Sequence, residues 1–398
     1  MNASHRMSSS QTRRVYLDHN ATTPVHPEVL GAMLPYYKEK FGNASSIHGF
    51  GREIKVALEE SREKVAKSIN ATSNEIYFTS GGTESDNLAI KGSAFANRKK
   101  GKHIITSKIE HHAILESCKF LEKEGFEIAY LPVDKSGFVD PDDLKKALRK
   151  DTILVSIMYA NNEVGTIEPV EELAKIAKDN GVYFHTDAVQ AMGKIPIDVQ
   201  KLNVDMLSVS GHKIYGPKGV GAIYIRKGTR ITPWSHGGSH ERSRRAGTEN
   251  IPGIVGLAKA LEIVHKEMEE QSKHLRNLTE TFYRKLTKAI PDVFLNGHLE
   301  KRIPNTLSLS FKAVEGESII LSLDLKGVAV STGSACASGS LEPSHVLSAM
   351  GIAPELAQAA IRFSFGRENT MEDVDYVIEI LPEIVNRLRA MSPLYANK

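Results

Sequence analysis

The amino-acid sequence predicts an α/β protein with a large domain on a mostly parallel mixed sheet, followed by a smaller C-terminal α+β domain. Three observations predict it. Short β-rich runs alternate with amphipathic helical runs between Glu75 and Arg226. One long helical pattern follows over 252–290, and after Pro291 the chain turns to strand-like runs closed by a last amphipathic helix.

The β-rich runs are IYFTS at 76–80, HIITS at 103–107, EIAYLPV at 127–133, TILVSIM at 152–158, VYFHTD at 182–187, DMLSVS at 205–210 and VGAIYIR at 220–226. Their β-branched and aromatic content suits strands, and the helical runs between them supply the crossovers that parallel strands need. Ligands of such sheets sit at the carboxyl ends of the strands. In the long pattern, Leu261, Val264, Met268, Leu275, Leu278 and Phe282 recur at three- and four-residue steps, the spacing of one helix face. The runs NTLSLSF at 305–311, VAVST at 328–332 and IRFSFG at 361–366, with a helix from about Met371, form the smaller domain. The expected division is a disordered tail over 1–14, a large domain over 15–262 and a small domain over 263–398.

A chain of 398 residues with 41% hydrophobic and 25% charged residues and a net charge of +3 is an ordinary globular protein. That balance gives no reason to expect a nucleic-acid-binding domain, and no apolar run approaches the length of a membrane span. Two cysteines, Cys118 and Cys336, exclude a disulfide framework and a CxxC metal site and suit a reducing cytoplasm. Residues 1–14 carry three Arg, four Ser and no acid, but no apolar face, so they read as a tail rather than a targeting helix.

The chemistry-bearing residues cluster at predicted strand ends. In Thr79-Ser-Gly-Gly-Thr83 a strand runs into two glycines and a helix start, which suits a phosphate and equally a capped glycine turn. Asp187 ends an apolar strand, where it either caps a following helix or pairs with a ring nitrogen. Lys213 lies after another strand and before a Gly/Pro turn; most lysines there are solvated, but a partly buried one becomes an imine-forming amine and base. A phosphate seat, an acid and a lysine along one edge fit pyridoxal phosphate better than any one alone. Cys336 lies in STGSACASGS at 331–340, where small neighbours leave a thiol open to approach, or where the Cys is incidental to a small-residue turn. Cys118, within AILESCKFLEKEG, reads as a core helix residue, and His112 as a helix-start residue rather than a metal ligand. The run RSRR at 242–245 is either an anion or partner contact or a solvated loop.

From YLDHNATTP at 16–24, FGNASSIH at 41–48, FTSGGTESDN at 78–87, IEHHA at 109–113, NNEVGT at 161–166, HTDAVQ at 185–190, SGHKIYGPKG at 210–219, GTEN at 247–250, STGSACASGS at 331–340 and IRFSFGR at 361–367, the chain resembles the cysteine desulfurases of the NifS/IscS-like group. These belong to the class V aminotransferase superfamily of fold-type I enzymes that depend on pyridoxal 5'-phosphate. The resemblance covers nearly the whole chain. Ala44 stands where the family often has Pro, and Thr332 and Ala337 are mild departures in the Cys loop.

The resemblance implies that Lys213 tethers the cofactor and later serves as base on Cα. It further implies that Asp187 pairs with the ring nitrogen, Gln190 contacts the ring hydroxyl, Asn162 contacts the cofactor, and His111 stacks on the ring and is catalytic as a proton shuttle. Gly82, Thr83, Ser210 and His212 would surround the phosphate, joined by Thr248 from the second subunit of a homodimer. Arg362 would bind the substrate carboxylate, with Asn162 and Asn43 nearby, and Cys336 would be the nucleophile that receives sulfur. The activity so implied converts L-cysteine to L-alanine. The sulfur passes through a Cys336 persulfide to an acceptor such as an iron-sulfur scaffold, for iron-sulfur cluster or other thio-cofactor assembly. Cys336 is also expected to contact a cluster transiently. The alternatives are a selenocysteine lyase or another class V aminotransferase-like enzyme.

Overall fold

The computed structural model describes residues 13–332, 343–392 and 395. Strand β1 (Val15–Tyr16) opens the chain. A seven-stranded sheet comes next, made of β2 (Ile76–Thr79), β3 (His103–Ser107), β4 (Glu127–Leu131), β5 (Thr152–Ser156), β6 (Tyr183–Asp187), β7 (Met206–Ser210) and β8 (Gly221–Ile225). Its spatial order is β2-β8-β7-β6-β5-β3-β4. Every adjacent pair is parallel except those made by β8, which runs antiparallel to both β2 and β7. The inner strands β3, β5 and β7 are buried at every residue, as continuous apolar runs covered by helices on both faces must be. Only β4, at the edge, is half exposed.

This topology brings the carboxyl ends of β2, β3, β5, β6 and β7 to one edge of the sheet. The order in which successive strands are added reverses between the parallel neighbours β3 and β5, since β4 lies on the outer side of β3 while β5, β6 and β7 extend the other way. A crevice forms where crossovers diverge. Gly221, where β8 begins at the same edge, lies so close to its neighbours that an added Cβ would stand 2.5 Å from the Val209 carbonyl oxygen and 2.7 Å from Gly81 Cα. No side chain fits there.

The small sheet joins β9 (Val293–Asn296), β10 (Thr306–Phe311) and β12 (Ala360–Ser364) in the antiparallel order β12-β10-β9. The helix Met371–Met391 and the later half of the helix Ile251–Ala289 pack against it, joining Leu275, Leu278, Phe282, Leu309, Phe363 and Leu381 in one core. The long helix contributes Ile254, Leu257 and Leu261 to the large-domain core, so the division expected after residue 262 falls inside one continuous helix.

The N-terminal segment crosses that division as well. Residues 1–12 lie outside the described residues, and Arg13 pairs with Asp373 at 3.0 Å. Strand β1 pairs in parallel with β11 (Val328–Ala329), a shorter strand than the run at 328–332 predicts. Val15 and Leu17 are buried in the small-domain core, although the sequence pattern assigns them to the large domain. From there the chain runs directly under the sheet edge at His19–Thr23.

A buried ion pair fixes the outer face. Arg62 Nη1 and Nη2 donate to the two Glu241 carboxylate oxygens at 2.7 and 2.9 Å, and both side chains are almost wholly buried. Glu241 also accepts the backbone N–H of Phe78 at 2.8 Å, anchoring the segment 239–245 to β2.

Candidate active site

At the end of β2, Gly81 adopts φ +151° and Gly82 begins the helix Gly82–Asn97. An added Cβ at Gly82 would stand 2.8 Å from Val189 Cγ2, so only glycine keeps that backbone open at the helix N-terminus. Ser80 N–H donates to Glu84 Oε2 at 2.7 Å and Arg245 Nε to Glu84 Oε1 at 2.8 Å, which balances the acid beside the seat. Gly82→Ala is expected to displace Val189 or the helix start at a cost of about 1–3 kcal/mol. Equilibrium dialysis against pyridoxal phosphate should then show weaker retention than in the unsubstituted protein.

Asp187 ends β6 with a buried side chain, and its Oδ1 accepts the Val189 N–H at 2.9 Å. Burial raises its carboxyl to about 6, opposed by the Val189 bond and the charge of Lys213. Behind it lie acids that no local pattern in the sequence marks. Asp86 is buried and raised well above the ordinary range, first by burial and then by Asp187. His185 is depressed to about 3 by burial; its Nδ1 and Nε2 face the Ser156 and Ser208 hydroxyls at 2.9 and 3.0 Å.

Glu110 is fully buried and raised to about 8, mainly by desolvation. Its Oε1 accepts from Ser107 Oγ at 2.6 Å and Met158 N at 3.0 Å. With a folded value above the unfolded one, ordinarily about 4.3, the neutral acid favours the fold at low pH. That contribution declines above the unfolded value and is gone once pH has risen through about 8. Between pH 6.5 and 9 the loss amounts to on the order of 2 kcal/mol. Glu110→Gln, which mimics the neutral acid, is expected to flatten the decline of melting temperature over that range.

Lys213 ends the single turn Gly211–Lys213 that follows β7. Its Nζ donates to the Asn20 and Ala21 carbonyl oxygens, the latter at 2.7 Å. Ser210 is buried at the end of β7, and the half-buried His212 faces Thr22 Oγ1 at 3.2 Å through Nδ1. Burial, then the charges of Lys213, Lys218 and Lys194, depress His212 to about 4. His111 caps the helix His112–Lys123 by accepting the Ala113 N–H at 3.1 Å on Nδ1, which leaves its ring neutral. It too is depressed to about 4, by burial, then Lys213, His112 and His345.

Arg362 lies in β12 with 2% exposure. Its Nη2 meets Asp18 Oδ1 at 2.8 Å and its Nη1 donates to the Asn162 carbonyl oxygen at 2.9 Å. Asn20 ties the two domains together: its Nδ2 donates to Asn162 O at 3.1 Å and Thr306 Oγ1 at 2.8 Å, while its Oδ1 accepts from Asn305 Nδ2 at 3.0 Å. Gln190 Nε2 donates to Asn20 O at 3.0 Å.

The chain therefore brings together Gly82, His111, Asn162, Asp187, Gln190, Ser210, His212, Lys213 and Arg362 at one edge between the domains. Thr83 is exposed at the same helix start. Asn43 and Thr248 are exposed, and Asn43 makes a local turn by accepting Ser45 N–H at 2.8 Å. Cys336 lies outside the described residues. The chain on either side of it meets this site: Ser331 pairs with Arg362 across a β-bridge, and Ser344 Oγ donates to the buried Glu163. Sequence reasoning missed Asp18, Asn20 and Asn305; the available signal is the polar run DHN directly after an apolar strand.

The model of the family described as aminotransferase class-V matches residues 15–377. The cysteine desulfurase IscS of Dictyoglomus turgidum is 63% identical, covering 96% of this chain and 97% of that protein. The chain belongs to the class-V aminotransferase family, among its cysteine desulfurases. The desulfurase IscS of Methanosarcina thermophila is 59% identical over 97% of this chain and 95% of its own. A solved NifS-like protein aligns with a TM-score of 0.90 at 45% identity, over 94% of this chain and all of that one. A structure described as SspA in complex with cysteine aligns at 0.80 and 37% identity, over 88% of this chain and 98% of that one. Membership of these desulfurases implies the use of pyridoxal phosphate and an α/β fold with a mostly parallel sheet, as described above.

Proposed function

We propose that this cysteine desulfurase takes sulfur from L-cysteine onto Cys336, leaving L-alanine, and passes the sulfur on for iron-sulfur cluster or other thio-cofactor assembly. The step balances without an external oxidant: the substrate C–S bond breaks, an S–S bond forms on Cys336, and Cβ of the product gains a proton. The observation that carries the reading is Lys213, the buried Asp187 and the glycine-lined seat at Gly82 on one sheet edge, facing the buried cation Arg362.

The residues present fit pyridoxal phosphate. A phosphate suits the bare helix start at Gly82, with Thr83, Ser210 and His212 beside it and Thr248 supplied by a second copy. Asp187 would hold the ring nitrogen and Gln190 the ring hydroxyl, and His111 would offer the ring a neutral imidazole. When bound, the cofactor supplies an aldehyde for the substrate amine and a ring that accepts the electron pair left at Cα.

Every other task falls to side chains. Arg362 binds the substrate carboxylate and fixes which Cα bond faces Lys213, with Asn162 and Asn43 bounding the same space. Lys213 Nζ, held between two carbonyl oxygens, tethers the cofactor and then takes the α-proton. Asp187 is anionic above about 6, so it keeps a proton on the ring nitrogen at neutral pH. Cys336, as thiolate, attacks the substrate sulfur.

A homodimer is supported by an exposed apolar stretch: Tyr37 is 61% exposed, Phe41, which packs on the exposed Phe50, 69% and Ile47 90%. The site of action is the cytoplasm, where a free thiol persists; among the described residues no helix is long and apolar enough to cross a membrane. Incubation of the holoenzyme with L-cysteine and assay of L-alanine tests the reaction. Absence of alanine formation would sink it.

A further inference from the structure

Two lysines line one small cavity between the sheet edge, the helix Ile251–Ala289 and the small domain: Lys213, whose task is assigned above, and Lys194, which has none. Lys194 is set firmly. Gly193 before it adopts φ +73°, where an added Cβ would stand 3.0 Å from Val264 Cγ2 on the long helix, and Ser272 Oγ of that helix donates to the Lys194 carbonyl oxygen at 3.1 Å. Its Nζ donates to Gln190 Oε1 at 2.7 Å.

That bond decides which way round the Gln190 amide sits. An ammonium can only donate, so it pairs with the oxygen end of the amide and repels the NH2 end. The nitrogen end then turns to Asn20 O, the same carbonyl that receives Lys213 Nζ. One N–H of Gln190 is used on Asn20, and the other is left to donate elsewhere. Among the described residues Lys194 is the side chain that hydrogen-bonds Oε1; without it only the Asn20 carbonyl oxygen holds the amide this way round, and a flip that presents an acceptor becomes easier.

We propose that Lys194 is a positioning residue: it fixes the orientation of the Gln190 amide and so keeps Gln190 a hydrogen-bond donor to the ring hydroxyl of pyridoxal phosphate. The inference rests on the reading above that Gln190 faces that hydroxyl. A donor there withdraws electron density from the ring oxygen, which lowers the proton affinity of the neighbouring cofactor–Lys213 linkage. Among the described residues, the titratable and charged groups facing Lys194 are Lys213, His212 and Tyr215 after β7, His19 from the N-terminal segment, Arg362 in β12, and Glu267 and Arg367, which pair with each other at 3.2 Å. Burial, then Lys213 and Arg362, depress Lys194 to about 7, so the ammonium that orients the amide prevails below that pH.

A double-mutant cycle on the holoenzyme separates the amide's orientation from mere loss of a nearby charge. The readout is the pH midpoint of the cofactor's visible absorbance band in Lys194→Met, Gln190→Leu and the double variant. Lys194→Met is expected to raise the midpoint by about one pH unit, tenfold in proton affinity; Gln190→Leu should do the same, and the double variant should go no further. Lys194→Arg should restore the midpoint, and Lys194→Ala serves if the Met variant does not hold the cofactor. An unchanged midpoint in the Lys194 variants, or an equal further rise on the Gln190→Leu background, would overturn the proposal. A Gln190→Leu protein with the parental midpoint would instead overturn the Gln190 contact on which it rests.

Discussion

Lys213→Ala is expected to abolish alanine formation from L-cysteine, by about a thousandfold or more, because two tasks are lost with one amine. General-base proton transfer alone contributes roughly 10²–10⁴ in rate, and the tether to the cofactor disappears at the same time. Near Lys213 no other described amine holds an equivalent position: Lys194, the next ammonium on the cavity, is turned onto Gln190. The fold should survive, since the segment that Nζ meets at the Asn20 and Ala21 carbonyls is also held by Asn20 Nδ2 to Asn162 O and Thr306 Oγ1 and by Thr23 Oγ1 to His212 O. Absorbance spectroscopy with added pyridoxal phosphate should show the protein without the visible band of the linked cofactor, and a coupled alanine assay should read at background.

Cys336→Ala is the second large effect. It removes the sulfur acceptor while leaving Lys213, Asp187 and Arg362 untouched, so the variant should hold cofactor and bind L-cysteine normally yet release no sulfide above background. The other thiol cannot substitute. Cys118 is buried in the helix His112–Lys123, and desolvation, reinforced by Glu110 and Glu122, pushes it up to about 12. Its thiolate is scarce at neutral pH and has no path to substrate. Cys118→Ala should therefore keep full activity, and sulfide release measured on the two variants side by side separates the two thiols.

The parts of this architecture legible in the sequence are those set by local periodicity. The runs at 76–80, 103–107, 152–158, 182–187 and 205–210 each form a strand because β-branched residues pack on both faces of a buried sheet. Asp187 and Lys213 stand out because they interrupt apolar strands at their carboxyl ends. Contacts between segments remote in sequence are not legible. Asn20 meets Lys213, Asn305 and Thr306 across hundreds of residues, and no local spacing announces that. Nor does any pattern show that β8 runs antiparallel, or that Asp86 and Glu110 lie buried behind Asp187, since a helix or loop carboxylate ordinarily faces water. Lys194 escapes notice for the same reason: a lysine in a GK turn reads as a solvated group until packing takes the water away.

If sulfur leaves L-cysteine onto Cys336, the thiol must carry it for a time, and mass spectrometry of the holoenzyme after brief exposure to L-cysteine, with alanine assayed in the same sample, tests this directly. The expected result is one added sulfur, about 32 Da, on the peptide carrying Cys336, reversed by a thiol reductant, with alanine appearing in step. Alanine formed with no mass increase on that peptide would contradict the mechanism and indicate direct release of sulfur from the substrate.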